Sequence, residues 1–434
     1  MTYPIYYADD LVAEVRATEE GIIAHYSDEW RVHPEIFSMS LSLPISAEPL
    51  SGPGLLSWLA NLLPEGEPGQ AFRRSLGVAQ GDILGQIEKS GGDLAGALRF
   101  GGMRKTDQAA YRKIGTVAEL ERIIDELPKK PFLVGEEGVS MSLAGAQDKL
   151  PVALVDGCVA IPVNGAASTH ILKPDNPRLT GSVANEALCM TLARHCGLKV
   201  APVTTAKAGA REYLLVERYD RTGQPEGVVA RLHQEDFCQA LGRPPSAKYE
   251  NNQTGIKGPS IAEMVELIRQ HMTAVEVLAF LDAVIFNIAI GNVDSHAKNY
   301  SIMLRHEEVT LAPLYDLMSG LDWDGITQNH AQPIGGQNRG RHIAKRHWKR
   351  MAKACGLGET ATIRRVTRLC QNILDHIPAA LDEVRGMDVN HTMLDVFGAS
   401  IAQRTNLVLK NAMKDPVEDS PDIVLPDEGA RETY

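Results

Sequence analysis

The stretch Gly291–Tyr300 reads GNVDSHAKNY and closes the most apolar run of the chain, Ala274 to Gly291. Four residues separate Asp294 from Asn299 in it, the D-x-x-x-x-N spacing of a protein-kinase catalytic loop. The chemistry asks for this pair. A carboxylate orients an attacking hydroxyl, and an amide oxygen nearby ligates a hard cation without adding another full charge. A polar run after a buried helix is also what a capping turn looks like, so the rest of the chain has to support the reading.

Working outward, Asp316 ends the run LAPLYD seventeen residues beyond Asn299, where a kinase places its second acidic magnesium ligand. Upstream, THILKP is a short β-branched strand that ends in Lys173, a candidate for reaching nucleotide phosphates. Glu186, thirteen residues on in NEALCMTLARHCGL, is the candidate to orient that lysine. Before the lysine, VSMSLAGAQDKL places Ala144, Gly145 and Ala146, then Gln147, between strand-like flanks. Small residues there let backbone N–H groups approach phosphate. LLVERYDR, Leu214–Arg221, passes from strand to polar turn and is a candidate hinge. Each signal is weak by itself; their order is that of kinase chemistry.

The periodicity predicts an α+β protein. Strands are expected at Ile22–His25, Phe37–Leu43, Ala97–Phe100, Lys149–Leu154, Val159–Val163, Thr169–Leu172 and Tyr213–Glu217. Helices are expected at Ser51–Leu63, Leu76–Lys89, Ser182–Cys196, Gln234–Leu241, Ile261–Gln270, Ala274–Ile290, Thr360–Asp382 and Met393–Met413. The segment Pro64–Gly69 reads as a helix break. The expected domains are 1–105, 106–225 and 226–413. Residues 414–434 hold three prolines and seven acidic residues against two basic ones, a composition expected to be disordered.

The formal charge of −11 argues against a chain that grips DNA through a broad basic surface of its own. The six cysteines form no CxxC pair and suggest neither a disulfide framework nor a zinc site. Glu276, Asp282 and Asn287 interrupt the Ala274–Gly291 run, so it reads as a core helix and not a membrane span. With no signal-like start, the chain is expected to be soluble and cytoplasmic, with no membrane partner.

The ordered stretches SMSLAGAQDKLPV, HILKP, NEALCMTLARHCGL, LLVERYDR, RLHQEDFCQALG, GNVDSHAKNYSIML and LAPLYDLMSG resemble the HipA family, the kinase toxins of bacterial HipBA toxin–antitoxin pairs. The resemblance spans roughly residues 5 to 410. It implies a protein-kinase-like bilobal fold, with an extra N-terminal subdomain on a β-rich N-terminal lobe and an all-helical C-terminal lobe. It also implies ATP and Mg2+ as cofactors, Asp294 as the catalytic aspartate, and Asn299 with Asp316 as magnesium ligands. Lys173 would then contact ATP phosphates, and Glu217 and Tyr219 would meet adenine through their backbones. His296 or Lys298 would stabilise charge on the transferring phosphoryl group. Ser142 matches the serine that the family autophosphorylates to switch itself off. The implied partners are a HipB-type helix-turn-helix antitoxin, operator DNA mainly through that antitoxin, and a protein substrate such as an aminoacyl-tRNA synthetase, notably glutamyl-tRNA synthetase. Two other readings stay open: a small-molecule phosphotransferase on a related fold, and a non-enzymatic co-repressor.

Overall fold

The computed structural model describes residues 2–19, 21–101, 109–225 and 227–414. The expected boundary near 105 and the acidic segment 415–434 lie outside the described residues. The chain divides into two compact units, Met1–Pro174 with Ala206–Pro245 and Ser301–Ala312, and Asp175–Thr205 with Ser246–Tyr300 and Pro313–Tyr434.

Among its described residues the first unit holds a two-stranded ribbon, Arg221–Thr222 with Ala230–Arg231, and three larger sheets. An antiparallel meander, Thr2–Tyr7, Asp10–Thr18 and Gly21–Tyr26, is extended by Leu98–Phe100 on one edge and Leu50–Ser51 on the other. A six-stranded sheet runs in the order Val203–Ala208, Arg211–Glu217, His170–Pro174, Leu150–Val155, Cys158–Val163, Ala110–Lys113. A third sheet joins Gln234–Asp236, Ser301–Arg305 and Glu308–Leu311. Trp30, Trp58, Phe72 and Phe132 are fully buried in its apolar core.

Four expectations here are corrected. Phe37–Leu43 forms no strand, because side chains satisfy its backbone: the Tyr26 hydroxyl accepts from Met39 N–H at 2.7 Å, and Trp30 Nε1–H donates to Phe37 O at 3.0 Å. Pro64–Gly69 does follow the end of one helix, Pro53–Ala60, but from Gly66 it already opens the next, Gly66–Leu76, since Pro68 sits in a first turn where no intrahelical donor is needed. That helix stops at Gly77 in the left-handed region (φ +65°), and Asp82 caps a separate helix, Ile83–Ser90, so Leu76–Lys89 is not continuous. Gln234–Leu241 is likewise split. Gln234–Asp236 pairs with Ser301–Met303, and Asp236 then forms a capping box with Gln239 for the short helix Phe237–Ala240.

The second unit is built on Ala274–Ile290, a 17-residue helix buried along most of its length. It packs against Ile261–His271, Glu359–Arg385 and Leu394–Met413, while Ser182–His195 packs on Glu359–Arg385. The region expected to be all helical also carries the hairpin Asn329–Ile334 with Gln337–Arg339, and the two strands at 301–311 that belong to the first unit. A short polar loop hides strands of three to six residues from a search for helical periodicity.

Candidate functional site

Gly291 ends the central helix at φ +75°, with its N–H donating to the last turn. A Cβ there would lie 2.6 Å from Leu321, so both the backbone and the space call for glycine. The chain leaves the helix as a buried loop. Asn292 fixes it: Oδ1 accepts Asp294 N–H at 3.2 Å, and Nδ2 donates to Asn287 Oδ1 at 2.9 Å and Asp316 O at 3.4 Å. His330 Nδ1 meets Asn292 O at 3.0 Å. Asp294, His296, Lys298 and Asn299 are all buried in this loop.

Asp294 Oδ1 accepts a hydrogen bond from the Tyr249 hydroxyl at 2.5 Å. The 248–250 segment is tied to the loop through Ala297 N–H donating to Lys248 O at 3.2 Å. Asn299 Nδ2 donates to Asp294 O at 2.9 Å. His296 crosses the Tyr249 ring edge-on, with centroids 5.3 Å apart. Burial, then the nearby Lys248 charge, hold its imidazole well below the usual histidine range. Lys298 presents its carbonyl to the Tyr315 hydroxyl at 2.6 Å, and Asp316 follows at φ +57°, a conformation that non-glycine residues adopt only when their surroundings impose it. Glu186 is buried on Ser182–His195 in the same unit.

In the first unit, Lys173 is buried in a strand paired with Arg211–Glu217, in the register Lys173↔Leu214 and Glu217↔His170. Glu217 is exposed at that strand's end. Burial pushes the Tyr219 phenol up, and its hydroxyl donates to Gln234 Oε1 at 2.9 Å. The loop Ala144–Gln147 turns at Gly145 (φ +108°), and Lys149 Nζ donates to the Ala144 carbonyl across it. A Cβ on Gly145 would lie 2.6 Å from that ammonium. Ser142 is buried just before the loop, with its N–H donating to Asp93 O at 3.1 Å.

Tyr249, Asn292, Asn185 and Lys149 were not singled out from the sequence. Lys149 had a signal, since it closes the small-residue stretch; Tyr249 sits in SAKYENNQTG, which reads as a plain polar turn. Among the described residues no group of three His, Cys, Asp or Glu is placed to hold a metal. An Asn–Asp pair fits magnesium, which takes one or two protein oxygens and completes its octahedron with phosphate and water.

The chain matches the model of the HipA-like C-terminal domain over residues 141–379 and that of the HipA N-terminal domain over 3–101. It belongs to the HipA family. It is 38% identical to the protein Y4mE of Sinorhizobium fredii over 88% of this chain and 92% of that protein. It is 31% identical to the serine/threonine-protein kinase toxin HipA of Shewanella oneidensis, over 88% of this chain and 89% of that protein. A solved complex of HipA, HipB and operator DNA from the Shewanella oneidensis MR-1 toxin–antitoxin system matches with a TM-score of 0.81 and 26% identity, over 94% of this chain and 96% of that chain. The chain is therefore a HipA-family kinase with the α+β, protein-kinase-like HipA fold. No helix among the described residues is long and apolar enough to cross a membrane.

Proposed function

We propose that this chain is a magnesium-dependent ATP:protein serine/threonine kinase and the toxin of a toxin–antitoxin pair. The observation that carries the reading is the Asp294 loop. There a buried carboxylate already accepts a hydroxyl, Tyr249 at 2.5 Å, and the backbone of Asp294 is tied by single hydrogen bonds to Asn299 and, through Asn292, to Asp316. In the transfer, Asp294 accepts the proton of a serine or threonine hydroxyl. The hydroxyl oxygen bonds to the γ-phosphorus of ATP, and the bond to the ADP leaving group breaks. Magnesium supplies charge stabilisation at the phosphates when bound. Asn299 and Asp316 are its ligands, Lys173 holds ATP phosphates with Glu186 orienting it, and Ala144–Gln147 cover them. Lys298 adds positive charge near the transferring group, and His296 a ring nitrogen. Glu217 and Tyr219 offer backbone groups to adenine.

Ser142 is the proposed autophosphorylation site. Its buried place under the loop cannot hold a phosphate of about −1.5 to −2 charge, so modification requires the loop to leave and keeps it out. By kinship with the operator-bound relative, a HipB-type antitoxin is the partner, and it supplies the basic DNA-reading surface that an acidic chain lacks. The substrate class is a translation protein, with an aminoacyl-tRNA synthetase such as the glutamyl enzyme as the first choice by analogy. The place of action is the cytoplasm.

The test is intact-mass spectrometry of purified protein incubated with MgATP, beside Asp294→Gln. One phosphate on the wild type, mapped to Ser142 and absent from the variant, is the expected result. No gain on unphosphorylated protein that binds ATP overturns the protein-kinase reading and favours a metabolite kinase or a silent co-repressor.

A further inference from the structure

Asn185 precedes Glu186 on the helix Ser182–His195 and is fully buried. Its Nδ2 donates to Ser319 O at 3.1 Å and its Oδ1 accepts Ser319 N–H at 2.8 Å. One amide thus pairs with both backbone polar groups of one residue, as a neighbouring strand does. Ser319 lies three residues beyond Asp316 in a segment without regular structure, and its backbone is otherwise outside any ladder. The opposite side of that segment is held by the catalytic loop: Asn292 Nδ2 on Asp316 O, and Gly320 N–H on Gly291 O at 3.0 Å. A buried asparagine at the fourth position of a helix is a poor helix former and costly to desolvate, so an apolar residue would suit the packing better unless the amide has a task. Asn185 stands on a helix whose every residue from Ser182 to Ala193 is buried, which fixes the amide and leaves it one geometry.

We propose that Asn185 is a positioning residue that couples the Glu186 helix to the Asp316 segment, so that the two shift as one body. The inference rests on the reading of Glu186 as the partner of the nucleotide lysine and Asp316 as a metal ligand. In kinases both groups must be in place for transfer, and here a single amide makes the two conditions one. A neutral amide suits this task. It holds the backbone beside a metal carboxylate without adding charge that would alter the affinity for Mg2+.

The experiment compares full-length wild type, Asn185→Ala and Thr191→Ala, the last removing a buried hydroxyl from the same helix. Hydrogen exchange without nucleotide comes first. In Asn185→Ala the amides of 317–320 and of the helix 182–195 lose protection by about tenfold, while Leu394–Met413 keeps its own. Unchanged protection at 317–320 overturns the coupling. Phosphate transfer over a Mg2+ titration comes second. The half-saturating Mg2+ concentration rises about 10- to 100-fold in Asn185→Ala and stays at the wild-type value in Thr191→Ala. A rate loss that merely tracks the folded fraction, with Mg2+ demand unchanged, assigns Asn185 to stability alone. Should the wild type transfer no phosphate, the kinase reading fails, while the exchange result still decides whether the clamp couples the two segments.

Discussion

Two buried networks hold the two units, and they use opposite chemistry. In the first unit Asp93 is the centre of an ionic hub. Arg221 reaches it at 2.9 Å, Arg231 at 3.3 Å and Arg218 at 3.4 Å, and Ser168 Oγ–H donates to it at 2.6 Å. Asp220 balances the cluster at 2.7 Å from Arg218. Burial pushes the Asp93 carboxyl up, yet the guanidinium groups of Arg221, Arg218 and Arg231 together hold it well below the usual carboxylate range. In the second unit the loops around Asp294 and Asp316 are held by the amides of Asn185, Asn287 and Asn292 and by a phenol. The difference has a physical logic. Coupled charges fix a backbone that must not move, at a desolvation cost that makes the cluster all-or-none. Amides fix a backbone that must also receive a cation and a triphosphate, where extra charge would bias what binds.

Removing one member of the hub is the strongest way to break the comparison. Asp93→Asn leaves two buried guanidinium groups and a half-buried third short of a counter-charge, and a loss of about 3–5 kcal/mol is expected. Urea denaturation of the full chain measures it. Because Ser142 N–H donates to Asp93 O, proteolysis near residues 142–149 should also rise in this variant. A loss below about 1 kcal/mol would mean that the hub, like the amides, is only local.

The same contrast explains what was legible beforehand. Asp294, Asn299 and Asp316 lie close in sequence, and the central helix was bounded by its own apolar run and a stop glycine, so motif and period sufficed to mark the helix and to pick out three residues that hydrogen bonds link. Long-range pairing was invisible. Asn185 and Ser319 are 134 positions apart, and Tyr249 and Asp294 are 45 apart; no local pattern marks either pair. Asp93 sat inside GGDLAG, where the flanking glycines announced only a turn. Phe37–Leu43 had strand composition but found side chains in place of a partner strand, a tertiary choice that propensity does not contain.

The amide side is sharpened by Asn292→Ala. The change strands Asp294 N–H and Asn287 Oδ1 in the interior, and should cost about 1–3 kcal/mol of stability. Phosphate transfer should fall further than that cost alone explains, by about 10- to 100-fold at saturating ATP, because Asp294 and Asp316 lose their shared support. Steady-state kinetics on folded protein check it. Transfer that stays within about twofold of wild type would show the amides to be packing, as replaceable as any buried polar group.

The last test concerns a single acid that sits between these two styles, buried but hydrogen-bonded only to neutral partners. Glu235 accepts Leu41 N–H at 2.8 Å and the Ser40 hydroxyl at 2.5 Å. Burial, opposed in part by those bonds, raises its carboxyl to about 8. The folded state therefore binds a proton that the unfolded chain releases near pH 4.5. Stability from this group is complete below that value and is lost as pH rises through about 8, at up to about 1.4 kcal/mol per pH unit within the window. Glu235→Gln keeps a neutral side chain throughout, so the variant should match wild type near pH 5 and gain on it steadily toward pH 8 (both pH settings approximate). Denaturation series of the two proteins at matched pH separate this carboxyl from every other titrating group. A difference that stays constant with pH would mean that Glu235 is ionised in the fold, held by charge in the manner of Asp93, and the division between the two networks would then run through the first unit and not between the units.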